Sequence, residues 1–383
     1  LIRNSACAFA PLEDAYLVYN TATRQLHRLN PAAALILELC DGTRHTATIC
    51  SEVAALLGPD GDKLCTEWIQ SALAQHLVLP PSDAATRRSS ASFALLAQDL
   101  RRDGQVLAAF VCQEHAAALK PERADYWYAL GELAHILGRR ERARAAYEEY
   151  ISRQPDDAEV AQILIALRDE PPPSRASDQC IEQLYARFAD VYEDNMHGDL
   201  QYQAPERLKE ALEKNVPVLQ DLNVLELGCG TGLAGQHLRR YSRQLVGLDL
   251  SPEMIARARL TGLYDALELS EITAWLNVPR ATRFDLIVAC DTLIYFGDLR
   301  QVIVPASRLL IPGGFCAFTV ERGENFPFRL TDSGRYSHTA EYVREVAPEA
   351  GLSVISLTEG FLRNEYGEPV TGLIALLQKG TQA

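Results

Sequence analysis

The chain has 383 residues, 48% hydrophobic and 23% charged, with a formal net charge of −14. That length predicts two or three domains rather than one, and no run approaches the roughly 18 apolar residues of a membrane span. The acidic balance argues against nucleic acid, which calls for a basic footprint.

Residues 1–82 read as one small unit. "YLVYN" (16–20) and "QLHRL" (25–29) are strand-like runs joined by "TATR", which predicts a hairpin. Asn30 is placed to cap a helix, and Pro31 occupies its first position, where a missing amide donor does no harm. That helix ends at Asp41-Gly42. A second is expected over Thr46–Leu57, and a third from near Thr66, with Thr66, Ile69, Leu73 and Leu77 at roughly helical spacing. Two strands followed by three helices outline a small winged-helix unit. Its third helix lacks the basic residues that reading DNA would require.

The segment "LNPAAALILELCDG", with the strand before it and "TATICSEVAALL" after it, resembles the PqqD-like peptide-recognition domains (RiPP recognition elements) of peptide-natural-product maturation. The resemblance implies that the unit clamps the leader of a precursor peptide, which lies along an edge strand and beside the third helix. It assigns the strand contacts to Tyr16, Val18 and Tyr19, or to the partner strand Gln25–Leu29, and the helix contacts to Trp68, Ile69 and Leu73. A structural cap or dimerisation role is the alternative.

Residues 82–93 are polar and read as a linker. Helices are expected over 94–168. There Trp127, Leu130, Gly131, Ala143, Tyr147 and Pro155 resemble the tetratricopeptide pattern, one clear repeat that predicts a helical spacer. "DEPPPSRASD" marks the next boundary.

From residue 222 strands and helices alternate, which predicts a doubly wound α/β domain over 175–383. "NVLELG" is a buried strand and "CGTG" a turn. Gly228 and Gly230 permit tight backbone next to a ligand, and Gly232 lets the following helix approach the strand. Asp249, about 20 residues on at the end of the next strand, can accept two ribose hydroxyls. By itself this spacing also fits a dinucleotide enzyme.

The fuller wording "VLELGCGTG … VGLDLSPEMIARAR … FDLIVACDTLIYFGDL … LLIPGGFCAFTVE" resembles class I methyltransferases that use S-adenosylmethionine, of the kind that carry tetratricopeptide repeats. The resemblance implies a seven-stranded Rossmann-like sheet whose last strand is antiparallel. It implies that Gly228, Cys229 and Gly230 cradle the methionine end of the cofactor, that Asp249 binds the ribose, and that Leu250 and Met254 flank the adenine. Glu271 would meet the adenine amino group, with Ile272 beside it, although the family's usual residue there is Asp. Asp291 would lie near the methionine portion, and Leu293 and Tyr295 on the acceptor side. Tyr185 and Tyr192, in the aromatic-rich segment 180–208, would close over the cofactor.

Methyl transfer requires the acceptor to be held about 3 Å from the methyl carbon, and a hydroxyl or amine acceptor also loses a proton. His338 and His197 are the candidate bases. Arg335, beside Tyr336, and Arg363 are candidates to orient an acidic acceptor. An arginine-lined pocket would favour a carboxylate oxygen, a histidine base nitrogen or oxygen. Tethering a leader-binding unit to the catalytic domain would raise the local concentration of a peptide acceptor, so the reading is a methyltransferase acting on a ribosomally made precursor peptide. A small-molecule methyltransferase with a structural front domain, a methyltransferase of folded proteins, and a non-catalytic peptide-binding scaffold are the alternatives.

Nine cysteines without a CxxC pair, and no tight Cys/His cluster, predict neither disulfides nor zinc. No signal-peptide-like segment is evident, although the sequence begins at Leu1 rather than methionine, and a cytoplasmic setting is expected. The sequence leaves the oligomeric state open.

Overall fold

The computed structural model describes residues 1–12, 15–58, 60–80, 89–188, 201–365 and 368–381. It contains two compact units, Leu1–Gln154 and Pro155–Ala383.

The first unit opens with β1 (Ile2–Arg3), followed by an antiparallel sheet of β2 (Cys7–Pro11), β3 (Tyr16–Asn20) and β4 (Gln25–Leu29), with β3 in the middle. Helix α1 (Pro31–Leu39) starts as its sequence predicts: the Asn30 side chain accepts from the Ala33 amide at 2.8 Å. Helix α2 spans Thr46–Leu57. Helix α3 spans Gly61–Ala74, so it begins five residues before the expected Thr66. Gly61 is the physical reason. A Cβ there would stand 2.8 Å from the Ala54 Cα, so only glycine lets the new helix start against α2. Strand β5 (Val78–Leu79) returns to pair with β1. Cys7, Val18, Ile36, Ile49, Val53, Cys65 and Ile69 form the core of this small mixed β/α domain.

Part of the segment expected as a linker over 82–93 is helical, since a helix begins at Ser90. Helix α4 (Ser90–Arg102) is capped by Ser89 and buries Phe93. Helices α5 (Val106–Leu119), α6 (Ala124–Ile136) and α7 (Arg140–Ile151) follow. Gly131 lets α6 lie directly on the Tyr147 ring of α7, where a Cβ would come within 2.5 Å of Cε1. Helix α5 packs on β2 and β3, and its His115 ring meets Phe9 edge-on at 5.6 Å.

The second unit begins with α8 (Ala158–Leu167), α9 (Asp178–Phe188) and α10 (Ala204–Asn215). Strands β6 (Leu222–Leu227), β7 (Ser242–Asp249), β8 (Ala266–Leu269), β9 (Phe284–Ala289) and β10 (Leu310–Arg322) then alternate with α11 (Gly235–Leu238), α12 (Pro252–Thr261), α13 (Ile272–Asn277) and α14 (Arg300–Leu309). An insertion, β11 (Phe328–Leu330) and β12 (Tyr336–His338), precedes α15 (Ala340–Glu349), β13 (Leu352–Glu365) and β14 (Glu368–Lys379). The sheet order is β8-β7-β6-β9-β10-β14-β13, parallel except for β14. The insertion adds two more strands where β12 pairs with Glu321 and Arg322 of β10. This is the Rossmann-like α/β core. Apolar runs such as "FDLIVA" are buried on both faces, as parallel strands covered by helices require. Helix α8, expected in the spacer, packs here instead: Gln162 donates to the Gly334 carbonyl at 2.8 Å, and Ala166 joins Leu330 and Tyr336.

Candidate functional site

In an open α/β sheet, ligands bind outside the carboxyl ends of the strands. Two features meet there.

The first is a corner between β6 and β7. Gly228, Gly230 and Gly232 have φ of +68°, +53° and +100°, a region that side chains disfavour. The amides of Gly228 and Cys229 both donate to the Leu248 carbonyl. Asp249 is buried. Its Oδ2 accepts from the Gly230 amide at 2.8 Å and its Oδ1 from the Ser251 amide at 2.9 Å. Burial raises the Asp249 pKa, and those amide donors pull it back. Thr292 closes the corner by donating to the Gly228 carbonyl at 3.3 Å, and a Cβ on Gly228 would lie 2.3 Å from the Thr292 methyl. Cys229, Met254 and Ile272 are buried around it and Leu250 is half-buried. Two groups here escaped the sequence reading. Glu226, a carboxylate within the apolar "VLELG" run, is pushed up to about 8 by burial and accepts from the Tyr264 hydroxyl at 2.8 Å. The Thr231 hydroxyl is buried without a partner among the described residues, and such an atom calls for a polar ligand. The corner thus fits an adenosyl cofactor. Open glycine backbone, a buried carboxylate and an unsatisfied hydroxyl converge on it. Glu271 stands at the start of α13, where its carboxylate caps the helix by accepting from the Thr273 and Ala274 amides at 2.9 and 2.7 Å.

The second feature is a polar cluster at the ends of β9, β10 and β13. Arg363 Nη1 donates to both Asp291 oxygens, at 2.7 and 2.9 Å. Its Nη2 engages Glu321 and, at 3.4 Å, Glu365. Arg335 pairs with Glu365 and lies beside the buried Tyr295. The Tyr295 hydroxyl meets that of Tyr185 at 3.1 Å. Asp291, Tyr295, Tyr185, Arg335 and Arg363 are therefore brought together. Leu293 is buried on the same turn as Tyr295.

Two candidate catalytic groups lie elsewhere. Tyr336 is fully buried and its hydroxyl donates to the Pro173 carbonyl at 2.7 Å, so it fastens the insertion. His338 is also fully buried, stacked on Tyr342 at 6.0 Å, with Nε2 donating to the Gly297 carbonyl at 3.0 Å. Burial pushes its pKa down to about 4, so it is neutral near pH 7, but it is sealed from solvent rather than exposed as a base. Tyr192 and His197 lie outside the described residues. No group of His, Cys, Asp or Glu among the described residues is arranged to hold a metal.

In the first unit, β3 is hydrogen-bonded on both sides, so Tyr16, Val18 and Tyr19 cannot form a docking edge. Val18 and Ile69 are core residues, and Tyr19 is buried near Cys112 of α5. Tyr16 donates to Glu38 at 2.6 Å. Trp68 and Leu73 are half-buried against the core. The partner strand β4 is an edge of this sheet, and its Gln25, Leu26 and Arg28 are exposed.

Comparison with known proteins agrees with this geometry. Residues 225–316 match the family described as a methyltransferase domain, and residues 15–78 match coenzyme PQQ synthesis protein D (PqqD). The ubiquinone biosynthesis O-methyltransferase of Psychrobacter arcticus is 28% identical over 158 residues, 37% of this chain and 60% of that protein. The malonyl-[acyl-carrier protein] O-methyltransferase of Enterobacter lignolyticus is 29% identical over 150 residues, 39% of this chain and 56% of that protein. An uncharacterized methyltransferase of Schizosaccharomyces pombe is 27% identical over 175 residues, 40% and 61% of the two chains. The chain thus spans about 60% of the length of these curated relatives. The solved N-methyltransferase NodS of Bradyrhizobium japonicum, with S-adenosyl-L-homocysteine, is 23% identical at a TM-score of 0.41, covering 52% of this chain and 97% of NodS. The second unit thus carries a Rossmann-like α/β core whose residues 225–316 match a methyltransferase domain. The first carries a PqqD-like domain.

Proposed function

We propose that the chain is an S-adenosylmethionine-dependent methyltransferase that acts on the oxygen of a small-molecule acceptor. The observation that carries this reading is the glycine corner with buried Asp249 beneath it. Asp249 would hold the ribose hydroxyls, the Gly228–Gly232 backbone the methionine end, and Thr231 a further polar atom. When bound, S-adenosylmethionine supplies an electrophilic methyl group. The chain's own part is to hold an acceptor oxygen in line, for which the Tyr185–Tyr295 hydroxyl pair beside Asp291 is placed. The O-methyltransferase relatives support oxygen as the acceptor atom. The test is calorimetric titration with S-adenosylhomocysteine, followed by methylation of small phenols and of malonyl thioesters. An absence of cofactor binding by the intact chain would refute the reading.

The PqqD match favours a second reading, a precursor-peptide acceptor recognised through its leader. Its docking edge would be β4, not β3. The helices before Gln154 would then act as a tetratricopeptide-like spacer, for which the Gly131–Tyr147 packing is the supporting feature. Methylation of a peptide that falls away when its leader is removed would establish this reading over the first.

A further inference from the structure

The cluster around Arg363 carries more charge than fastening two strands requires. Arg363 and Arg335 face Asp291, Glu321 and Glu365, so among the described residues these side chains hold two formal positive charges against three negative. Arg363 is 2% exposed, and Asp291 and Glu321 are 9% and 8% exposed. Burying ions is costly unless they are paired, and an excess carboxylate in such a setting calls for a cation. The excess has a direction. Asp291 lies in the turn after β9, next to Thr292, which donates to the Gly228 carbonyl, so the acidic end of the cluster adjoins the glycine corner. Asp291 also holds φ of +53°, a strained conformation for a residue with a side chain. Its amide donates to Thr319 Oγ1 at 2.8 Å, and its carboxylate is gripped by Arg363 Nη1. Backbone and side chain are thus both held in one orientation.

We propose that Arg363, backed by Glu321 and Glu365, is a positioning residue that presents the Asp291 carboxylate to the α-ammonium group at the methionine end of the cofactor. The assignment rests on the methyltransferase reading and adds to it a residue 72 positions from Asp291 in sequence. An ammonium there would balance the excess charge.

The test is calorimetric titration of the full chain with three ligands. S-adenosylhomocysteine has both the ammonium and the carboxylate, its decarboxylated analogue keeps only the ammonium, and 5′-methylthioadenosine has neither. Arg363→Met is expected to weaken the first two at least tenfold and to leave methylthioadenosine within twofold, with Arg363→Lys recovering part of the loss. Asp291→Asn should follow Arg363→Met. Equal loss of all three ligands would make Arg363 merely structural. An unchanged S-adenosylhomocysteine affinity, or a decarboxylated analogue indifferent to the substitution, would likewise overturn the proposal. If Arg363→Met does not fold, Arg363→Lys and Glu321→Gln decide by the same ligand ratio. Failure of the unsubstituted chain to bind any of the three would refute the methyltransferase reading itself, and this assignment with it.

Discussion

The glycine corner and the Arg363 cluster stand at the same end of one sheet but are built in opposite ways. The corner is made of backbone. Its geometry depends on glycines at 228, 230 and 232, and the carboxylate that holds it, Asp249, lies 19 residues from Gly230. The cluster is made of ionised side chains from β10, β13, the insertion and the turn after β9, with partners 42 and 72 residues apart. A backbone site tolerates changes at its rim and fails when a glycine gains a side chain. A charge cluster fails when any one member is removed, because its partner is left buried and uncompensated.

Four experiments would break or sharpen that contrast. The largest effect is expected at Glu226, beneath the corner. An unfolded glutamate loses its proton near pH 4.5, whereas folded Glu226 keeps its proton until about pH 8. The folded state therefore binds more protons across that window. Its stabilisation is complete below pH 4.5 and is lost as the pH rises through 8, a span of roughly 4–5 kcal/mol. Urea midpoints should fall between pH 5 and 8.5 in the parent chain and stay flatter in Glu226→Gln, whose amide oxygen can still accept from Tyr264. Identical profiles would mean that Glu226 is ionised throughout.

Arg363→Met should destabilise the chain by about 3–5 kcal/mol, the usual result of breaking a buried ion pair. Arg363→Met combined with Asp291→Asn should cost less than the sum of the two single changes, as expected for interacting partners. Additive melting shifts would show that the cluster does not act as a unit.

Asp249→Asn should cost about 2–3 kcal/mol of cofactor affinity, roughly 30- to 150-fold, because an amide cannot accept on both atoms as the carboxylate does. Thr231→Val should cost least, about 1 kcal/mol or several-fold in S-adenosylhomocysteine affinity, with no loss of folding stability, since its hydroxyl has no partner among the described residues. A drop in stability without a drop in affinity would place that hydroxyl outside the cofactor site.

The corner was legible in sequence because its physics is local. Glycines spaced over one turn, and an acid at the end of the next strand, need no distant partner to be recognised. The helix cap at Asn30 and the order of strands and helices from residue 222 were readable for the same reason. The errors fall where a side chain's role depends on what packs against it. "YLVYN" looked like half of a simple hairpin, but β2 from the preceding residues pairs with it and makes β3 an interior strand. His338 and Tyr336 read from sequence as candidate catalytic residues in an insertion, yet β12 joins β10 and α8 covers the insertion, burying both. Arg363 reads from sequence as a candidate to orient an acidic acceptor, and tertiary structure surrounds it with three carboxylates.

What the sequence by itself determined is therefore the alternation that builds the sheet, the turn that opens the corner, and the acid that completes it. Each is set by backbone sterics and by hydrogen bonds within one strand–turn–helix unit. Only the tertiary structure decided which strand keeps an open edge, which polar side chains are sealed in the core, and which charges meet. Those outcomes depend on segments tens of residues apart being packed out of water together, where an ionised group must find a partner or remain unfavourable.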